Sequence, residues 1–153
     1  MKTTKKQLFN KKTTRLFYSI ILKKLISYLM KGGKKAKTEK ILKNVFVKIS
    51  LRKLSPVNIL TLAIINIKPF VEVRNVRVKG KSYKVPFTLQ TARQLTSSFK
   101  TMLKSAKTSR NFEDSLVEEL INSSLGRSQS VRITRDLHKT AFQNRSFISY
   151  RWF

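Results

Sequence analysis

Apolar residues recur along most of this chain at helical spacing and change to strand spacing in one stretch. Phe17, Ile21, Leu25 and Leu29, with Leu22 and Ile26, mark a first helix within 16–30. Gly32-Gly33 ends it, because glycine adopts the left-handed conformation past a helix terminus at little cost. Ile41, Leu42, Val45, Phe46 and Ile49 predict a second helix from about Thr38 to Lys53. Ser55-Pro56 reads as an N-cap and a first-turn proline opening a third. Its run Val57, Ile59, Leu60, Leu62, Ala63, Ile64 and Ile65 is apolar almost all round, which predicts the most buried helix of the set.

Lys68-Pro69 ends that helix, and the period then shortens to that of a strand. Val71 and Val73 alternate with polar residues, and so do Val76 and Val78. The phase slips by one residue at Asn75, which predicts a bulge or a strong local twist. Gly80 supplies a reversal, and Tyr83, Val85 and Phe87 resume the alternation. A β-hairpin at 70–88 is the expectation, with Pro86 confined to an edge strand or a strand end because it has no N–H to donate.

Leu89, Ala92, Leu95, Phe99, Met102, Leu103 and Ala106 then mark a fourth helix. A fifth, near Asn111 to Ser124, buries Phe112, Leu116, Val117, Leu120 and Ile121. It also holds Glu113, Asp114, Glu118 and Glu119, four of the seven acids in the chain. That acidic face is expected to point away from any polyanion or to meet another basic protein. A loop at 126–130 leads to a sixth helix with Ile133, Leu137 and Ala141 inward. In the tail, Phe147, Tyr150 and Trp152 interleave with Arg145 and Arg151. Such aromatics stack on bases or pack on the helical core, and the pattern leaves both readings open. The fold class predicted is mainly α: a bundle of about six helices with one protruding hairpin between helices three and four.

Charge decides what such a fold would be for. Lys and Arg number 34 against seven Asp and Glu, a net charge of +27 over 153 residues. A chain so cationic repels itself until a polyanion neutralises it, and nucleic acid is the usual one. The hydrophobic fraction of 41% is that of a folded protein, not of a basic tail. With no cysteine and one histidine, His138, disulfides and thiolate or zinc sites are excluded. The close carboxylates of the fifth helix have no nucleophile or metal motif beside them, so an enzyme is not expected, and neither is a cofactor. Lys23-Lys24 interrupts the first helix well short of a membrane span. A basic amphipathic helix of this kind lies on a membrane, serves as a cleaved presequence, or faces a core, and the core is the preferred reading.

The cations fall in groups. Residues 1–15, with Lys11, Lys12 and Arg15, lack a helical repeat and read as a flexible basic arm before a single domain at 16–153. Lys34, Lys35 and Lys37 stand near the amino end of the second helix, where they oppose the helix dipole, so phosphate is one reason for their presence and a solvated turn another. Arg74, Arg77, Lys79, Lys81 and Lys84 line the hairpin against Glu72 alone. Arg93, Lys100 and Lys104 share one face of the fourth helix, and Arg132, Arg135 and Lys139 one side of the sixth. With Arg145 and Arg151 these are the candidate RNA contacts. The competing class is a DNA-architectural protein with a basic arm, which usually carries an apolar wedge at the tip, whereas this tip is Lys79-Gly80-Lys81-Ser82.

Three stretches carry a resemblance: Gly33-Lys34-Lys35; Lys68-Pro69 through Val71-Glu72-Val73, with Arg77-Val78, Gly80, Tyr83 and Val85-Pro86; and His138-Lys139, Ala141, Asn144-Arg145 and Phe147 leading to Tyr150-Arg151-Trp152. In this order, over roughly Leu16 to Phe153, the chain resembles the small-subunit ribosomal protein seven family. It differs from the family pattern at Lys79, where a first turn glycine is usual, at Val76, where an arginine is common, and at Thr101, where a tryptophan is common. The resemblance implies a helical bundle with a hairpin after its third helix. It also implies a primary binder of the 3′ major domain of small-subunit rRNA that nucleates head assembly, its hairpin near the exit-site tRNA and the mRNA. Head and platform ribosomal proteins would be its neighbours, without homo-oligomerisation or a membrane partner. The ending Tyr-Arg-Trp-Phe looks like that of mitochondrial members, and the excess of Lys over Arg with abundant Ile, Asn and Phe suits an AT-rich organellar genome. A mitochondrial ribosome is therefore expected, with a plastid or a bacterial cytoplasm as alternatives.

Overall fold

The computed structural model of the chain describes residues 19–107 and 111–152. The basic arm at 1–15 lies outside them. Helix α1 covers 19–29, α2 Lys35–Leu51 and α3 Pro56–Ile67. Strands β1 (Val71–Val78) and β2 (Lys81–Thr88) follow, then α4 (Thr91–Ala106), α5 (Phe112–Ser124), α6 (Gln129–Gln143) and a closing 3-10 helix, Arg145–Trp152. The protein is mainly helical with one antiparallel hairpin between its third and fourth helices, as the periodicity predicts.

The core forms where the stripes converge. Ile21 and Leu25 of α1, Val45 and Ile49 of α2, Leu60 and Ile67 of α3, Phe99 and Met102 of α4, and Leu116 and Leu120 of α5 are all essentially inaccessible. α5 packs against α2, α3, α4 and α6 and so lies at the centre of the bundle. Helix α2 starts three residues earlier than its apolar repeat alone suggests, because the left-handed Gly32 and Gly33 (φ 57° and 70°) turn the chain directly into it. Pro56 opens α3 as expected, although the Ser55 hydroxyl accepts no bond from the helix.

At three places the packing departs from what the apolar pattern alone suggests. α3, with Ile59, Leu60, Ala63, Ile64 and Ile67 buried, has the largest buried share of the helices as expected, but it leaves Val57, Leu62 and Ile65 exposed, so it is not covered all round. In α6, Ile133 is exposed and Leu137 half-buried, while Ser130, Val131 and Thr134 turn inward with Ala141. Hydroxyl residues are tolerated there because each has a partner. Thr134 Oγ1 donates to the Ile67 carbonyl at 2.9 Å, and Ser130 bonds both the Glu119 carboxylate and Ser128 Oγ, the latter at 2.8 Å. Finally, the hairpin has no bulge at Asn75: its register runs unbroken from Val71 opposite Thr88 to Val78 opposite Lys81. Val71 and Val73 therefore lie on one face and Val76 and Val78 on the other. The ribbon carries apolar positions on both faces because different elements close on it, α6 against β1 and the 3-10 helix against β2.

The reversal is a two-residue turn in which both Lys79 (φ 47°) and Gly80 (φ 81°) are left-handed, the type I′ geometry that matches strand twist.

Candidate nucleic-acid interface

The acids are consumed first. Lys48 Nζ of α2 lies 2.6 Å from Asp114 Oδ1 and 3.4 Å from Glu113 Oε2 of α5, and Arg52 lies 2.5 Å from Glu118. Asn44 Nδ2 donates to Glu113 at 3.2 Å. Three of the four acids of α5 thus close on α2, so they are turned from a polyanion as one expectation had it, and their basic partner is α2 of the same chain and not another protein. Helix α2 is cationic where α5 is anionic, and the two neutralise each other. The hydrogen bond from Lys48 holds the Asp114 carboxyl below its ordinary value, and the same bond raises Lys48; Glu118 likewise raises Arg52.

A depressed carboxylate contributes stability that is present above its unfolded pKa and lost as pH falls through the folded one. A raised lysine contributes below its unfolded value and loses that contribution as pH rises through the folded one. Asp114→Asn should therefore be less stable than the parent at neutral pH, and the difference should shrink as pH falls below about 4 and vanish only below the lowered folded value. Melting temperatures of both chains across the acid limb test this; a constant gap at every pH would refute it.

Glu72 is the other tie, and its importance is hidden in a sequence where it appears as a lone acid on a basic ribbon. One carboxylate oxygen pairs with Arg74 and the other lies 3.2 Å from Arg93 Nε of α4 in an ion pair, fastening the hairpin base to that helix. The signal available was the isolation of one acid among many cations.

These ties bring the cation groups together. Tyr28 at the end of α1 donates to Thr96 Oγ1 of α4 at 2.9 Å and stacks on Phe99, which ties the helix leading into the 31–37 segment to α4. Arg93 joins α4 to the ribbon, and α6 packs against both β1 and α4. Lys34, Lys35 and Lys37, then Lys100 and Lys104, then Arg77, Lys79, Lys81 and Lys84, then Arg132, Arg135 and Lys139 are all exposed on this connected set of elements. Lys35 makes only a 3.7 Å contact with Glu39. No acid stands in the first turn of α2 and no side chain caps it, so its free N–H groups and the lysines favour an anion together.

Some candidates also hold the protein itself. Arg74 lies over the Phe87 ring at 4.7 Å, and Arg145 over Phe142 at the same distance. Arg151 is half-buried; its Nε donates to the Pro86 carbonyl at 2.7 Å, tying the tail to β2. Arg135 donates to the Gly126 carbonyl at 3.3 Å. The tail aromatics resolve to neither open reading in full. Tyr83 of the ribbon contacts Phe147 at 5.1 Å and Tyr150 at 5.0 Å between ring centres, so these two brace the hairpin, while Trp152 is 89% exposed. Lys11, Lys12 and Arg15 lie outside the described residues.

No helix among the described residues is long and apolar enough to cross a membrane, and no group of ligating side chains there would hold a metal. A helical body with three acids of α5 paired to α2, Glu72 tied at the ribbon base and a braced cationic ribbon beside them defines a strongly basic protein suited to a polyanion. Sequence comparison gives the family. Residues 1–145 match the family described as ribosomal protein S7p/S5e. Small ribosomal subunit protein uS7 of Pelagibacter ubique is 35% identical over 140 residues, covering 90% of each chain. Small ribosomal subunit protein uS7m of Reclinomonas americana is 32% identical over 155 residues, covering 97% of this chain and 98% of its own. The chain belongs to this family of small-subunit ribosomal proteins.

Proposed function

We propose that this protein is a primary rRNA-binding protein that docks on the 3′ major domain of small-subunit rRNA and nucleates assembly of the head. Its hairpin then lies beside the exit-site tRNA and the mRNA channel, among head and platform proteins. The role is structural, not catalytic. The observation that carries the reading is the imbalance of charge: Glu113, Asp114, Glu118 and Glu72 are paired on α2–α5 and at the ribbon base, and the cations left exposed on the 31–37 segment, the ribbon, α4 and α6 are opposed there only by Glu39 and Asp136. Cations spread over a turn, a ribbon and two helices suit a folded junction, where strands converge that repel one another until bridged. RNA of that kind is read through shape and backbone more than through base edges. A mitochondrial ribosome is the proposed setting, supported by the end-to-end likeness to a uS7m protein and by the Lys-, Ile-, Asn- and Phe-rich composition.

Lys34→Ala with Lys35→Ala tests the turn. Both residues are exposed, so the fold is expected to hold, while affinity for the head-domain junction falls and the salt slope flattens by about two units. An unchanged slope in a filter-binding titration would remove this turn from the RNA surface. Excess duplex DNA should barely displace the junction; ready displacement would instead favour a DNA-architectural role.

A further inference from the structure

Two phenyl rings remain bare among the cations of α6, and the proposed function gives them no task. Phe70, at the foot of the hairpin, is 63% exposed, and Phe142, at the end of α6, is 66% exposed. Neither ring is loose. Phe70 lies nearly parallel to the His138 imidazole, 6.1 Å between centres with planes 26° apart. Its backbone N–H donates to His138 Nε2 at 3.1 Å, which fixes the imidazole as an acceptor at that nitrogen and leaves Nδ1–H as a donor. Phe142 is one helical turn beyond His138 and carries the Arg145 guanidinium over its face at 4.7 Å.

Helical spacing places Arg135, His138, Lys139 and Phe142 on one stripe of α6. The hollow beneath Phe70, lined by Lys68, Thr134, Arg135 and His138 among others, contains no acid. Aliphatic packing surfaces need no cations, and phosphate contacts need no rings. A stripe that alternates the two, with each ring already paired to a flat cationic or heteroaromatic group, suits a strand whose bases are unstacked from one another.

We propose that this stripe is a stacking site for unpaired nucleotides of RNA, with one base on the Phe70–His138 pair and another on Phe142–Arg145, and the connecting phosphates on Arg135 and Lys139. The inference rests on the proposed function and adds to it a ligand class, single-stranded RNA, on the side of α6 whose cations Arg135 and Lys139 that function already uses.

The test uses the full chain with single-stranded oligoadenylate and, separately, an RNA duplex of equal charge. Phe70→Ala and Phe142→Ala should each weaken oligoadenylate binding about tenfold, since base–aromatic stacking is lost. Duplex affinity and the salt slope should be unchanged, because no cation is removed. Phe70→Tyr and Phe142→Tyr should restore binding, whereas Phe70→Leu and Phe142→Leu should not, which separates stacking from apolar packing. In a Trp152→Phe background, Phe142→Trp fluorescence should be quenched by oligoadenylate and not by the duplex. Alanine variants that match the parent on oligoadenylate, or leucine variants that restore it, overturn the site. Unchanged RNA affinity with reduced incorporation into small subunits overturns it in favour of a protein partner. If the parent chain itself fails to bind the head-domain junction, the broader reading has failed, and that outcome is distinguishable from equality between parent and variants.

Discussion

Raising salt from 50 to 200 mM is expected to lower affinity for the rRNA junction by about 10³–10⁵-fold, if on the order of eight phosphates are contacted. Each neutralised phosphate releases condensed counterions, so the logarithm of affinity falls linearly with that of salt, and the slope counts contacts. The exposed cations of the 31–37 turn, ribbon, α4 and α6 supply enough charges for such a number without the ones tied up internally. The same titration should move the free protein the other way. At +27 the unliganded fold is strained by self-repulsion, so screening should raise its melting temperature while it releases the RNA. Opposite signs for binding and stability in one buffer series are the signature sought. A shallow binding slope, equivalent to about two or three phosphates, would mean that most of these cations serve solubility and not the RNA.

The elements of this fold were largely legible because six helices bury narrow stripes, and a period near 3.6 survives in the order of residues. The failures came where burial and hydropathy part company. Thr134 and Ser130 are inward and Ile133 is not, because a carboxylate and a carbonyl from other elements wait for those hydroxyls. No local pattern encodes that. The phase slip at Asn75 was a real signal with a different cause: a ribbon gripped by α6 and by the tail needs apolar residues on both faces, and a regular ladder provides them. The acidic face of α5 was visible, but its partners Lys48 and Arg52 lie some 66 residues away.

The interface was legible as a set of residue types and not as a surface. Nothing local distinguishes Arg151, which closes the tail onto the Pro86 carbonyl, from Lys84, which is simply exposed. Likewise, the tail aromatics Phe147 and Tyr150 were singled out by their interleaving with arginine, yet Tyr83 occupies them. Apart from Trp152, the most exposed rings are Phe70 and Phe142, whose neighbours in sequence gave less reason to notice them.

Phe99→Ala is expected to unfold much of the free protein at body temperature and to be rescued by RNA. Phe99 is wholly inaccessible and joins its own helix α4, which carries part of the interface, to the Tyr28 ring of α1 at 5.9 Å and to the shared core. Truncating a buried phenylalanine costs about 3–5 kcal/mol, the lost transfer energy plus the cavity left behind. Domains of this size have only about 5–15 kcal/mol in hand, and a self-repelling one sits toward the low end. The melting temperature should fall by roughly 10 °C or more. RNA binds only the folded form, so a junction present at about a thousand times its dissociation constant returns about 4 kcal/mol and nearly offsets the loss. Phe99→Leu, which keeps more of the volume, should lose markedly less. Thermal unfolding by circular dichroism, with and without the junction, decides the matter. A variant that melts with the parent would show that the α1–α4 contact does not limit stability. One that unfolds and is not rescued would show that Phe99 also sets the 31–37 turn through Tyr28, so that its loss disorders the RNA surface along with the core.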